Sequence, residues 1–183
     1  MLLDASKATL LLIDMQERLL PAMADGGEVE RRCGILLKAA KALDVPVTVS
    51  EQYPKGLGHT VPVLKEDIGN APVFEKLNFS CWRDAPLKAH LIRHHEQGRP
   101  LVLIAGIEAH VCVLQTAIDL AAAGFGVFAV ADAMTSRAPA SVELALERMR
   151  SSGAQVVNSE MAVFELLGRA GTAEFRELSR MIR

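Results

Sequence analysis

The amino-acid sequence predicts an α/β fold, a three-layer α/β/α sandwich around a mostly parallel, Rossmann-like sheet of about six strands. A threefold repeat of helix, glycine and short strand is the main support for this prediction. The strands are apolar on both faces, which is typical of parallel strands covered by helices on each side. Each glycine suits a helix end, where a left-handed backbone is often needed. The three units are 87–97 with Gly98 and 101–105, 111–123 with Gly124 and 127–131, and 140–152 with Gly153 and 155–157.

The elements before this repeat alternate in the same way. The pattern predicts a first strand at 9–13, an amphipathic helix at 28–43, a second strand at 47–50 and a third at 73–76. Residues 51–70 contain prolines and glycines and are predicted to form a long loop. Loops of this length inside compact domains are commonly functional, so we expect this one to wall a cleft.

The end of the chain has apolar residues at helical spacing. Phe175, Leu178, Met181 and Ile182 form one stripe within residues 172–183, with arginines opposite. Two interpretations are open. The stripe docks on the protein's own core, or it contributes to an interface between copies of the chain.

Length and composition limit the class of protein. A chain of 183 residues is expected to form a single domain spanning 1–183. Apolar residues make up 50% and aromatic residues 4%, which predicts a core of Leu, Val, Ile and Ala. The net charge of −2, without long charged runs, predicts no nucleic-acid or membrane partner. The three cysteines form no CxxC pair, and neither a signal-peptide core nor a membrane span is evident, so we expect a cytoplasmic protein.

Three chemically distinct side chains stand where predicted strands end. Asp14 follows the first strand, Lys76 closes the third, and Cys112 lies shortly after the strand at 101–105. Ligands in open α/β sheets bind at the carboxyl ends of the strands. A thiol needs a base to take its proton and a cation to stabilise the thiolate, so an acid, an amine and a thiol in one cleft predict a cysteine hydrolase.

These residues lie in three motifs that are found, in this order, in one known family. The motifs are LLIDMQ at 11–16, KLNFS at 76–80 and GIEAHVCV at 106–113. The chain resembles the isochorismatase-like hydrolases, also called the cysteine hydrolase superfamily, over nearly its whole length. The segments EQYPKGLGHTVP at 51–62 and DAMTSR at 132–137 are most similar to the branch of isochorismatase domain-containing proteins.

The resemblance implies the isochorismatase-like fold and a role for each residue. Cys112 corresponds to the nucleophile, Asp14 to the general base and later acid, and Lys76 to the source of positive charge. The resemblance further implies a cis peptide between Ile107 and Glu108, which aims the Glu108 N–H, with that of Cys112, at the oxyanion. It also implies a small-molecule substrate and a homo-oligomer.

Three departures bear on how far the family's chemistry applies to this chain. Metal-dependent nicotinamidases of the family carry an Asp and His ligand set just after the second strand, where this chain reads SEQY at 50–53, with His59 alone further on. We therefore expect no metal and no cofactor. True isochorismatases lack a cysteine at the position of Cys112, so its presence favours an acyl-enzyme. The family's usual Thr-Asp pair is replaced by Ala109 and His110.

Five residues are candidates for the substrate pocket. Gln16 either hydrogen-bonds within the site or satisfies backbone groups at the strand end. The aromatic residues among the five line the pocket or fill the core, both of which are usual for aromatic side chains. The five candidates are Gln16, Tyr53, Phe79, Trp82 and His110.

Other reactive side chains have simpler interpretations. Cys81 is expected to pack in the protein interior, and the alternative is that it is a second reactive thiol. His90 and His94 have the spacing of a zinc-binding helix, but no third ligand is evident, which favours a solvated or half-buried helix face.

The sequence thus predicts a metal-independent cysteine hydrolase for a small amide or related C–N substrate. The alternative is a non-enzymatic binding or scaffold protein that retains the fold and a redox-responsive thiol.

Overall fold

A six-stranded parallel sheet forms the centre of the computed structural model, which describes residues 1–182. The spatial order of the strands is β3-β2-β1-β4-β5-β6, and every neighbouring pair is parallel. The predicted α/β class and the strand number are confirmed. The strands are β1 (Ala8–Ile13), β2 (Val47–Gln52), β3 (Val73–Lys76), β4 (Leu101–Ile107), β5 (Gly126–Thr135) and β6 (Gln155–Val157).

Helices cover both faces of the sheet, and two apolar cores result. One core packs α1, α7 and α8 on the sheet, and the other packs α4, α5 and α6. Within residues 1–182, no helix combines the length and the apolar character needed to cross a bilayer. The helices are α1 (Gly26–Ala42), α2 (Pro54–Leu57), α3 (Pro62–Ile68), α4 (Ala85–Glu96), α5 (Leu114–Ala122), α6 (Pro139–Ser151), α7 (Ser159–Leu167) and α8 (Ala173–Met181).

Strand β1 shows why the central strands are apolar throughout. Leu10 and Leu12 belong to the core beneath α1, whereas Leu11 and Ile13 belong to the core beneath α4 and α5. Successive side chains of a strand point to opposite faces, so a strand with helices on both sides buries all of them. All six residues of β1 are buried.

Residues 51–70 differ from the predicted long loop. Strand β2 runs on to Gln52, and two short helices, α2 and α3, follow. Each of these helices begins with a proline, Pro54 or Pro62. Proline suits the first helical position, so residues that suggested a loop in fact start helices.

The helix predicted over 111–123 also differs at its start. It opens with a π-helical turn, Ala109–Val113, before α5 begins at Leu114. Such turns are frequent at functional sites. Helix α7 was not predicted, although Asn158 caps it by accepting a hydrogen bond from the Met161 N–H at 2.7 Å.

The apolar stripe of the terminal helix α8 packs on its own chain. Leu178 is fully buried, and Met181 and Ile182 pack against the core that includes α1. Phe175 lies beside Phe164 of α7, with ring centroids 6.2 Å apart. The first of the two interpretations of this stripe is therefore the observed one.

The strand order places the site. The chain adds β2 and β3 on one side of β1 and then returns to add β4 on the other. This reversal makes the carboxyl ends of β1 and β4 the topological switch point, where open α/β sheets leave a crevice for ligands.

Candidate active site

Asp14 is the first residue beyond β1 and is fully buried. Its backbone has a φ of 53°, in the left-handed region that aspartate tolerates better than most residues. The Asp14 N–H donates to the Ser50 carbonyl at 3.0 Å, and the Gln16 N–H donates to the Asp14 carbonyl at 2.8 Å. These bonds end the strand and hold the carboxylate at the switch point.

Asp14 and Lys76 form an ion pair, and neither side chain has exposed surface. Lys76 Nζ donates to Asp14 Oδ2 at 2.7 Å, to Gln52 Oε1 at 2.7 Å and to the Phe79 carbonyl at 3.2 Å. The Ser50 hydroxyl donates to Asp14 Oδ1 at 2.7 Å. Buried charges are tolerated when they are paired and hydrogen-bonded, as both are here.

The pKa of Lys76 is raised above its ordinary value. Burial acts to lower it, but the Asp14 carboxylate raises it by its charge and by accepting a hydrogen bond, and the raised pKa is the net result. Lys76 is therefore a cation throughout the neutral range, and it supplies the fixed positive charge of the site.

Cys112 lies in the π-helical turn after β4 and is 5% exposed. Burial raises the pKa of its thiol well above the usual value, and the neighbouring Asp14 raises it further by its charge and as an acceptor for the thiol proton. Lys76 lowers it. The resting pair is thus a neutral thiol beside a carboxylate, the arrangement that a base and a nucleophile need before proton transfer.

The structure adds Ser50 and Gln52 to the residues found from sequence. Both lie at the carboxyl end of β2, and their side chains contact Asp14 and Lys76 respectively. Gln52 Nε2 also donates to the Leu77 carbonyl at 2.9 Å.

Gln16 resolves the two alternatives left open for it. It is fully buried, and its side-chain amide hydrogen-bonds to backbone groups. Nε2 donates to the carbonyls of Gln52 and Gly58, at 2.9 and 2.7 Å, and Oε1 accepts from the Gln52 N–H at 2.7 Å. The Gln16 side chain thus connects the end of β2 to the turn after α2 and holds these two backbone segments together.

The remaining pocket candidates occupy different places. Tyr53 and Phe79 are about half exposed. Trp82 instead packs edge-on against Phe125, with centroids 5.5 Å apart and Lys88 Nζ 4.9 Å from its ring. A cleft of about 460 Å³ opens beside Lys76. It is lined by Tyr53, Pro54, Lys55, Glu75, Lys76, Leu77, Asn78 and Asp84.

The segment before the nucleophile is tied to the residues after β5. His110 Nδ1 lies 2.8 Å from the Ser136 hydroxyl, and Arg137 Nε donates to Glu108 Oε2 at 2.9 Å. The peptide between Ile107 and Glu108 is cis, as the resemblance implied.

The two histidines considered for metal binding lie side by side on α4. His90 and His94 are half-buried, with their Nε2 atoms 3.1 Å apart, and His90 Nε2 lies 3.1 Å from the Thr48 hydroxyl. Across residues 1–182, no three His, Cys, Asp or Glu side chains cluster as a metal site requires. The interpretation of a half-buried helix face agrees with this placement.

Comparisons with known proteins agree with the fold and with the motifs. The profile of the isochorismatase domain matches residues 8–161. The human isochorismatase domain-containing protein 2 is 37% identical over 176 residues, 96% of this chain and 83% of the relative. A Caenorhabditis elegans structure called MAR1 ribonuclease has a TM-score of 0.91 and 36% identity, covering 100% of this chain and 92% of its own.

Two solved structures called YcaC have a TM-score of 0.91 and 26% identity. The Pseudomonas aeruginosa protein contains hexane-2,5-diol and covalent acrylamide, with 98% of this chain and 91% of that chain covered. The Escherichia coli protein is described as an octameric hydrolase of unknown specificity, with 98% and 90% covered. With the domain match over most of its length, this chain belongs to the isochorismatase family of hydrolases.

Proposed function

We propose that the protein is a metal-independent cysteine hydrolase that cleaves a small amide or related C–N substrate through a thioester acyl-enzyme. The observation that supports this most is the fully buried Asp14–Lys76 pair, 2.7 Å apart, beside the Cys112 thiol. A base, a cation and a thiol are the three groups that cysteine-based acyl transfer requires.

In the first half-reaction, Asp14 takes the thiol proton while Cys112 Sγ attacks the substrate carbonyl carbon. The carbonyl electrons move onto oxygen, and the backbone N–H groups of Glu108 and Cys112 are proposed to bind this oxyanion. The C–N bond then breaks, and the proton held by Asp14 passes to the departing nitrogen, which leaves as ammonia or an amine.

In the second half-reaction, Asp14 removes a proton from water, and the water oxygen attacks the thioester carbon. The C–S bond breaks and Cys112 regains its proton from Asp14. Lys76 stays a cation throughout and offsets the negative charge, which lies first on Asp14 and then on the thiolate.

The burial of Cys112 favours a small substrate. With 5% of its surface exposed, Cys112 is reached by a compact acyl group more readily than by a polymer. The net charge of −2 offers little attraction for a polyanion, so we do not extend the name of the C. elegans ribonuclease to this chain. The covalent acrylamide in the P. aeruginosa relative is consistent with a small electrophile reaching such a site.

We also propose a homo-oligomer located in the cytoplasm. The octameric E. coli relative supports assembly. The three cysteines, all free in the structure, are compatible with a reducing compartment.

The test is a screen for ammonia release over a library of small primary amides, ureas and carbamoyl compounds. Wild-type protein is compared with Cys112→Ala at the same concentration. We expect release with at least one substrate class by the wild type and none above background by the variant. If neither protein releases ammonia and iodoacetamide does not modify Cys112, the binding or scaffold alternative is favoured and the hydrolase proposal fails.

A further inference from the structure

The hydrolysis proposed above uses one thiol, yet a second thiol is connected to the same base. Cys81 is fully buried, and its Sγ donates to the Ser50 hydroxyl at 3.6 Å. That hydroxyl donates to Asp14 Oδ1 at 2.7 Å. Asp14 therefore faces Cys112 directly and Cys81 through a single hydroxyl group.

The backbones of the two cysteines meet at one side chain. The Thr116 hydroxyl accepts from the Cys81 N–H at 2.9 Å and donates to the Cys112 carbonyl at 2.7 Å. Both cysteines also belong to the same apolar core. Disulfide-linked residues have Cα atoms roughly 4.4–6.8 Å apart, so a bridge requires that the two segments be neighbours. The segments that carry Cys81 and Cys112 are neighbours because both hydrogen-bond to the Thr116 hydroxyl.

We propose that Cys81 is a resolving thiol, which forms a reversible disulfide with Cys112 after a peroxide has oxidised Cys112. The inference rests on the proposed function in one respect, namely that Cys112 is the reactive thiol. It goes beyond that function by assigning a peroxide-dependent modification to the same site. In the disulfide, Cys112 cannot act as a nucleophile and is protected from oxidation beyond sulfenic acid.

The chemistry balances with hydrogen peroxide as the oxidant. Asp14 takes the Cys112 proton, the sulfur attacks one peroxide oxygen, the O–O bond breaks, and the leaving hydroxide takes that proton back from Asp14 to become water. The Cys81 sulfur then attacks the Cys112 sulfur, and the S–O bond breaks. The Cys81 proton passes through Ser50 to Asp14 and on to the departing hydroxide, which becomes a second water. Two thiols lose two electrons, and one peroxide gains them.

Until then Cys81 remains a thiol. Burial, with the charge of Asp14, raises the pKa of Cys81 to about 11, although Lys76 and the hydrogen bonds to Ser50 and Thr116 act in the opposite direction. Cys81 therefore keeps its proton at neutral pH until Ser50 and Asp14 accept it.

Cys33 provides a matched control within the chain. It is also fully buried, but it lies in the core on the other face of the sheet, and its Sγ contacts the Ala133 carbonyl at 3.5 Å. The sheet separates Cys33 from Cys81 and Cys112, so it has no part in the proposed bridge.

The experiment treats wild type, Cys33→Ser and Cys81→Ser with millimolar hydrogen peroxide. Each protein is examined by intact mass, by peptide mapping and by iodoacetamide labelling of Cys112 before and after dithiothreitol. Serine at position 81 keeps a hydrogen-bond donor toward Ser50. We expect wild type and Cys33→Ser to lose the mass of two hydrogens, to yield a Cys81–Cys112 linked peptide and to regain labelling.

Cys81→Ser is expected to gain the mass of oxygen atoms on Cys112 and to regain roughly fivefold less labelling after dithiothreitol. Oxygen addition without a linked peptide in the wild type, or equal recovery in Cys81→Ser, overturns the inference. Untreated Cys112 that resists iodoacetamide in all three proteins contradicts the proposed function instead. Untreated Cys112 that reacts normally but forms no bridge contradicts the inference alone.

Discussion

Gln52 lies directly opposite Lys76 in the register of β2 and β3, and its Oε1 accepts a hydrogen bond from Lys76 Nζ at 2.7 Å. The amide binds the ammonium without neutralising it, because it carries no charge of its own. Asp14 is therefore the one carboxylate that hydrogen-bonds Lys76 among residues 1–182. A charge introduced at position 52 should therefore change the reactivity of the Cys112 thiol.

Gln52→Glu tests this relationship. A second carboxylate on Lys76 adds negative charge near Cys112, and we expect it to raise the thiol pKa by about one unit, with roughly tenfold slower alkylation at a fixed pH below the pKa. The rate of iodoacetamide labelling across pH measures it. Gln155→Glu makes the same charge change at an exposed position of β6 and should leave the profile in place. Overlapping profiles for Gln52→Glu and wild type would mean that Gln52 has no influence on the thiol.

Asp14→Asn and Lys76→Ala should move the same profile in opposite directions. Asp14 raises the Cys112 pKa and Lys76 lowers it, so we expect alkylation of Asp14→Asn to begin at lower pH and that of Lys76→Ala at higher pH. Asp14→Asn should nevertheless lose turnover, because an amide cannot accept the thiol proton.

Each of these variants leaves a buried charge unpaired, at a cost of about 3 to 5 kcal/mol in the free energy of unfolding. Circular dichroism should therefore confirm that the variants are folded before labelling. Shifts in the same direction for both variants would refute the assigned electrostatic roles.

Cys112→Ala and Cys112→Ser should lower kcat by about a thousandfold or more while the protein stays folded, because the proposed acyl-enzyme forms on this thiol and neither alanine nor serine can replace it. Turnover of the best substrate from the ammonia screen, together with thermal melting, measures both effects. Near-full activity in Cys112→Ala would exclude the thioester mechanism.

Chelators should leave turnover unchanged, since the segment SEQY at 50–53 lacks the Asp and His ligand set that the resemblance gives to metal-dependent nicotinamidases. Turnover is measured after dialysis against EDTA and against 1,10-phenanthroline. Elemental analysis of the undialysed protein is expected to find no stoichiometric zinc, iron or manganese. A His90→Gln, His94→Gln double variant is the control for adventitious binding on α4. Activity that falls with chelator and returns with a metal ion would contradict metal independence.

Light scattering at micromolar concentration should give a mass that is a multiple of 19.8 kDa. A mass near 19.8 kDa itself would mean a monomer and would refute assembly. Because the α8 stripe packs on its own core, Leu178→Glu should unfold or strongly destabilise the chain. If Leu178→Glu instead stayed folded and only dissociated, α8 would belong to an interface.

Two of the site residues that could be predicted from sequence are charged residues at the ends of predicted strands. Asp14 directly follows an apolar strand and Lys76 ends a predicted strand, so both could be identified from their positions in the sequence. Ser50 and Gln52 were missed because β2 was predicted to stop at Ser50, and the contact of Gln52 with Lys76 depends on the register of β2 with β3. Register arises from pairing between distant segments, which local patterns do not encode.

The same limit explains the differences elsewhere in the fold. The π-helical turn at 109–113 has the composition of an ordinary helix start, so its extra residue per turn left no local signal. The sequence leaves Trp82 either at the pocket or in the core, because its partner Phe125 comes from a distant part of the chain. Gln16 had two reasonable interpretations until its backbone partners were known.

The place of β3 at the edge of the sheet has a consequence for how the protein loses activity. The four residues of β3 pair with β2 alone, whereas β1 and β4, which precede Asp14 and Cys112, each pair on both sides. Edge segments open locally at lower free energy than central strands. On warming, Lys76 should therefore leave the site before the sheet melts, so that inactivation precedes unfolding and is reversed by cooling.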